Sequence, residues 1–271
     1  MALVALAGSM ETVTHGGRRT AYRLVDRGGD GAPLLCVHGS GGTHAVWKSQ
    51  LGRLSRKRPV AALDLSGHGD SDDLALDAGP DVLDAYARDV LAVATEVGAR
   101  AVLGNSLGGG VVLSALLDHD ADVEAVVLAG SGAKLSVHED LRRWLAGEDG
   151  GFDRAIEFLH GDGRLFHDPT DAELAFSQRA MREAGREVVE RDFLTSHAFD
   201  VRDRLGELDV PLLALTGEHD GLTPPAFHEY LAENVQDGSW TTLPDAAHLS
   251  MLEAPDAFND AVSAFLEARR L

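Results

Sequence analysis

Short, mainly apolar runs recur along this chain, and each stops at a loop rich in glycine, aspartate or histidine. They fall at residues 34–37, 60–63, 101–103 and 125–129, and further strands are expected at 211–216 and 240–243. Continuous apolar runs of this length fit strands covered on both faces, as in parallel sheets. Helical periodicity lies between them. Over 81–97, apolar residues stand at 82, 83, 86, 90, 93 and 97. A last helix is expected from Pro255, a favoured first-turn proline, with Phe258, Ala261, Val262, Phe265 and Leu266 on one face. Strand alternating with helix predicts an α/β fold: a mostly parallel central sheet of about eight strands, flanked by helices. Ahead of the first run, residues 11–26 alternate around Gly16-Gly17, which predicts a hairpin.

The run at 101–103 leads into Gly104-Asn105-Ser106-Leu107-Gly108 and then a helical segment. A small-x-Ser-x-small turn between strand and helix is a nucleophile elbow. Such a turn is tight, so its flanking positions must be nearly free of side chain, and both are glycine. It sets the Ser106 hydroxyl at a helix N-terminus, where the dipole favours developing negative charge.

Serine needs a base, itself oriented by an acid. Site groups in an open α/β sheet lie past the carboxyl ends of strands. Asp220 follows the run at 211–216 and His248 follows the run at 240–243. The order Ser106, Asp220, His248 is nucleophile, acid, base. Glu218 and Asp245 compete for the acid role, but Glu218 lies closer to the strand end and Asp245 stands too near His248 to bridge easily. Among other histidines, His38 is expected to brace its loop and His68 to be structural. His219 should point away from Asp220, and His160 and His167 are expected on solvated surface.

From 133 to 206 the alternation stops, and helices are expected near 136–146, 151–160, 170–184 and 187–197. This stretch holds six of the nine phenylalanines: 152, 158, 166, 176, 193 and 199. It predicts an all-helical cap, inserted into a core domain made of 1–132 and 207–271. Most of those rings should pack within the cap, and the rest suggest an apolar pocket.

Together these features resemble the α/β-hydrolase fold superfamily, in its branch of capped serine hydrolases. The resemblance rests on His38-Gly39 after a strand, Asp64-x-x-Gly67-x-Gly69-x-Ser71, the elbow, Gly217-x-x-Asp220-x-x-Thr223-Pro224, and His248 followed by Glu253-x-Pro255. It runs from about residue 20 to the C-terminus. It implies Ser106 as nucleophile, His248 as general base then acid, Asp220 as orienter, and an oxyanion hole from the backbone N–H groups of Ser40 and Leu107. Ala247 departs from the glycine usual before the histidine, and a slight restriction of that loop is expected. The implied activity is hydrolysis of a small carboxylic ester or related carbonyl compound that has an apolar part. Serine at 106 excludes the dehalogenases and epoxide hydrolases, which carry aspartate there. Lactonase and carbon–carbon bond hydrolase remain as alternatives, the latter on the single Asn105. Perhydrolysis is a side activity that such sites show, and an acyltransferase is a further reading if the cap excludes water. A small-molecule receptor on the same fold is the alternative from another class.

The net charge is −20, from 44 acidic and 24 basic residues. Such a surface repels nucleic acid and anionic membrane. The scarcity of lysine and excess of aspartate fit a salt-loving source, where salt screens self-repulsion. One cysteine, Cys36, excludes an intrachain disulfide, and a cytoplasmic home is expected. No apolar run approaches a membrane span, and residues 1–8 read as a frayed tail rather than a signal peptide. No local spacing signals a metal, a nucleotide or another cofactor.

Overall fold

The computed structural model describes residues 10–161 and 163–271. The expected N-terminal tail lies outside them. One eight-stranded sheet forms the centre: β1 (Met10–His15), β2 (Arg18–Val25), β3 (Leu34–Val37), β4 (Val60–Leu63), β5 (Ala101–Asn105), β6 (Ala125–Ala129), β7 (Leu212–Gly217) and β8 (Gly238–Leu243). Their order is β1-β2-β4-β3-β5-β6-β7-β8. The hairpin β1–β2 joins β4 antiparallel, and every pairing from β4 through β8 is parallel. The expected α/β sheet is therefore present.

The inner strands are buried on both faces because alternate side chains enter two separate cores. Leu34, Cys36, Leu103 and Val127 face one core, packed with Trp47, Leu51, Phe258 and Val262. Leu35, Val37, Val102 and Val126 face the other, packed with Tyr86, Val90, Val111 and Leu231. The helices that cover these cores are α1 (Lys48–Arg53), α2 (Pro80–Val97), α3 (Leu107–Asp118), α8 (Pro225–Asn234), α9 (Ser250–Glu253) and α10 (Pro255–Ala268). Helix α2 begins on Pro80 and stops at Gly98, whose φ of 64° gives the left-handed cap that glycine tolerates best. The short helices α1 and α9 were not legible in the sequence, being too brief to show a period.

Between β6 and β7 stand α4 (Glu139–Leu145), α5 (Gly151–His160), α6 (Asp171–Ala184) and α7 (Arg186–Ala198). Thr170 and Glu173 form a reciprocal capping box at the start of α6. A single antiparallel bridge, Lys134 to Asp200, closes the base of this all-helical insertion. Phe166 and Phe199 are buried in the two cores, and Phe152 and Phe158 pack at their edge. No helix among the described residues is long and apolar enough to cross a membrane.

Candidate active site

Ser106 adopts φ 53° and ψ −120°, a conformation that costs a non-glycine residue on the order of 1–3 kcal/mol. Its surroundings hold it there. The Ser106 N–H and the Asn105 side-chain amide both donate to the carbonyl of Ala129 on the neighbouring strand, at 3.0 and 2.9 Å. Ser131 Oγ donates to the Ser106 carbonyl at 2.8 Å. The flanking glycines are sterically required. A Cβ on Gly104 would stand 2.5 Å from the Gly108 carbonyl oxygen, and one on Gly108 would stand 2.5 Å from that of His38. Asn105, the residue that suggested carbon–carbon bond hydrolysis, thus acts as a brace of the elbow.

The structure brings Asp220 and His248 together. His248 Nδ1 donates to Asp220 Oδ2 at 2.9 Å, and both residues are buried. Asp220 also accepts from Thr223 Oγ1 at 2.8 Å and from the N–H groups of Leu222 and Thr223 at 2.9 and 2.8 Å. Burial pushes the Asp220 pKa up, but His248 and these donors outweigh it and hold the carboxyl below its ordinary value. Glu218 and Asp245 are exposed, and neither bonds to His248. Gly217 lets the two loops meet, since a Cβ there would lie 2.3 Å from the carbonyls of Ala246 and Ala247. Ala247 is fully buried, and its N–H donates to Glu253 Oε2 at 2.8 Å. Glu253, quoted above only as part of a motif, thereby fixes the loop that carries His248.

Past β3 the chain turns over the elbow. A Cβ on Gly39 would meet the Ser106 Cβ at 2.9 Å, so only glycine lets the loop approach. The N–H groups of Ser40 and Leu107 donate to no acceptor among the described residues. His38 braces this loop as expected. Its Nδ1 donates to the Gly39 carbonyl at 2.8 Å and its Nε2 accepts the Leu65 N–H at 3.0 Å. That pattern fits a neutral ring, and burial with neighbouring His68 pushes its pKa down to about 4. His68 shifts the opposite way. Burial lowers its pKa, but Asp192 outweighs this and raises it. His68 Nε2 donates to Asp192 Oδ2 at 2.9 Å, and neither side chain reaches solvent. Asp192, on α7, also accepts from the Gly41 N–H at 2.9 Å and from the Tyr86 hydroxyl at 2.8 Å.

Two cavities meet at Ser106, Ser40 and His248. The narrow one, about 60 Å³, is lined by Phe176, Met181, Phe193 and Leu252. The wide one, about 540 Å³, runs past Leu135, Leu141, Phe158 and Phe227 with Ser136 and Ser196. Phe176 and Phe193, from the insertion, therefore do supply apolar wall.

The alpha/beta hydrolase family matches residues 34–261. This chain belongs to that family. The hydrolase is 31% identical over 253 residues to the pimeloyl-(acyl-carrier protein) methyl ester esterase of Neisseria meningitidis serogroup C, covering 86% of this chain and 93% of that protein. It is 25% identical to the 2-hydroxy-6-oxo-6-(2'-aminophenyl)hexa-2,4-dienoic acid hydrolase of Metapseudomonas resinovorans, covering 95% and 90% of the two chains. The solved structure of a thermophilic esterase superposes with a TM-score of 0.82 at 25% identity, covering 96% of this hydrolase and 98% of that chain.

Two groups near the site had no signal in the sequence of the hydrolase. His228 accepts the Ser131 N–H at 3.1 Å, behind the elbow. Asp192 reaches the loop after His38 from the insertion. Neither is in a motif, and each finds its partner only through the fold. His160 is tied to Ser177 within the insertion and lines neither cavity, whereas His167 and His219 stack on each other at the surface.

Proposed function

We propose that this hydrolase cleaves a small carboxylic ester through an acyl-enzyme formed on Ser106. The observation that carries the proposal is His248, bonded to Asp220 and lining the same cavities as Ser106. The esterase relatives support the substrate class. Ser106 Oγ attacks the carbonyl carbon and its proton passes to His248 Nε2. The oxyanion is received by the N–H groups of Ser40 and Leu107, which have no acceptor among the described residues. His248 then protonates the departing alkoxide. Water attacks the acyl-enzyme, giving its proton to His248; the bond from the acyl carbon to Ser106 Oγ then breaks, His248 returns the proton to Oγ, and the carboxylic acid leaves. Asp220 keeps the ring in the tautomer with hydrogen on Nδ1 and stabilises the imidazolium.

Residues 133–206 serve as the cap over a core of 1–132 and 207–271, and they supply part of the pocket walls, with Phe227 and Leu252 from the core. The narrow cavity takes a short apolar group and the wide one takes the larger part of the ester. The test is labelling by a fluorophosphonate, which reacts with an activated serine, followed by a panel of esters, lactones and dienoic diketo acids. Wild type should label and turn over esters. Ser106→Ala and His248→Ala should not label, and Asp220→Asn should lose about 10⁴ in kcat. Folded wild-type protein that fails to label would overturn the proposal and favour a receptor.

A further inference from the structure

Away from both cavities, one cluster of side chains has the composition of a metal site. His167, His219 and Asp245 are all exposed, and one ligand atom from each lies within 4.8 Å of the others. The two imidazoles stack with centroids 3.7 Å apart and planes 14° from parallel. None of the three lines the cavities at Ser106. No local spacing announced them, because they come from three separate segments.

The backbone beneath these residues is fixed by a shared set of bonds. Glu253 Oε1 accepts the His167 N–H at 2.7 Å, while its Oε2 accepts the N–H of Ala247, two residues past Asp245. The His219 N–H donates to the Ala246 carbonyl at 2.9 Å. Asp245 itself stands at φ 52°, a left-handed position that aspartate tolerates better than most residues. The three donors are thus presented by a scaffold that is already tied together.

We propose that His167, His219 and Asp245 bind one divalent transition-metal ion, Zn²⁺ being the natural candidate, with water completing the coordination. Two imidazole nitrogens and one carboxylate suit zinc, cobalt, nickel or copper, whereas magnesium and calcium require mainly oxygen. Bonds of about 2.0–2.1 Å to a tetrahedral ion place donors roughly 3.3–3.5 Å apart. As stacked, the two rings do not aim their in-plane lone pairs at one point, so binding turns one imidazole out of the stack, a side-chain rotation open to exposed residues. The charge of −20 draws cations to the surface. The ion would join the insertion, through His167, to the loops that hold Asp220 and His248.

The experiment uses untagged protein, stripped with chelator and dialysed, then titrated with Co²⁺ and afterwards with Zn²⁺. One equivalent of Co²⁺ should bind with the visible absorption of a four-coordinate ion, and Zn²⁺ should displace it. The thermal midpoint should rise by roughly 5–10 °C at a hundredfold excess of Zn²⁺ over its Kd. His167→Ala, His219→Ala and Asp245→Asn should each weaken binding at least tenfold, with metal-free midpoints near that of wild type; asparagine suits the left-handed backbone at 245. Absence of saturable one-to-one binding would overturn the proposal, as would binding that survives both histidine substitutions. Neither result depends on whether Ser106 is a nucleophile.

Discussion

The backbone N–H of Gly41 donates to Asp192 Oδ2 at 2.9 Å, across 151 residues of sequence. Gly41 follows Ser40, whose N–H is assigned to the oxyanion. Asp192 belongs to the helical insertion, so the covering layer grips the loop that would stabilise the transition state. Met181 and Val189 press on the same glycine, at 3.0 and 3.1 Å from where a Cβ would be.

Asp192→Asn should therefore lower kcat by tenfold or more and leave KM within about threefold. A shifted oxyanion donor costs transition-state binding more than ground-state binding. Tyr86→Phe removes another bond to the same carboxylate but spares Gly41, so its kcat should stay within about twofold. Steady-state kinetics on both folded variants decide this, and equal losses of kcat would contradict it.

Acid should destabilise the fold through His38 and His228. Burial is the main cause that lowers both pKa values to about 4. The unfolded chain takes up these protons near pH 6.5, whereas the native state resists until about 4. The stability these neutral rings contribute is present above pH 6.5 and is lost as pH falls toward 4. The full loss is on the order of 3 kcal/mol per histidine. The His68–Asp192 pair works outside this window. The raised His68 pKa gives stability that is present below about 6.5 and lost as pH rises above it, the opposite sign, and the lowered Asp192 pKa acts below its ordinary carboxylate range. Urea unfolding at pH 6, 5.5 and 5 therefore measures the slope. His228→Gln should remove about half of it, and a slope unchanged by that substitution would refute the assignment.

Glycine positions separate close approach from mere freedom. Gly108→Ala puts a methyl 2.5 Å from the His38 carbonyl and should cost roughly 1–3 kcal/mol, with loss of fluorophosphonate labelling. Gly52→Ala, inside α1 with no atom within 4 Å of the new methyl, should stabilise by about 0.5–1 kcal/mol. Thermal midpoints moving in the same direction for both would be inconsistent with these contacts.

The acidic surface predicts a salt requirement. Raising KCl from about 0.1 M to about 2 M shortens the screening length from about 10 Å to a few ångström, and the thermal midpoint should climb. Circular dichroism at low salt is the check. Full structure and an unchanged midpoint there would leave the charge of −20 without this explanation.

Much of the site was legible because its residues are tied to strand ends. The runs at 34–37 and 60–63 are β3 and β4 to the residue, and Ser106, Asp220 and His248 each stand just past a strand, buried β5 and β7 for the first two and the edge strand β8 for His248. The helices of the insertion were legible in the sequence within a few residues of their ends. What failed to show was every group whose role depends on a distant partner. Asp192 lies between Arg191 and Phe193 on an amphipathic helix, where an aspartate ordinarily faces water. His228 sits among exposed neighbours on α8. His167 was expected on solvated surface and His219 pointing away from Asp220, but not stacked against each other.

The sequence by itself determined the sheet, the elbow and the placement of Ser106, Asp220 and His248 just past successive strands. Those rest on local sterics and on the burial of short apolar runs, and both operate over a few residues. Only the tertiary structure decided that a helix 151 residues away holds Gly41, that Glu253 ties the His248 loop to the insertion, and which rings face the cavity. Hydrogen bonds and packing between remote segments depend on where the backbone carries each side chain, and no local pattern encodes that distance.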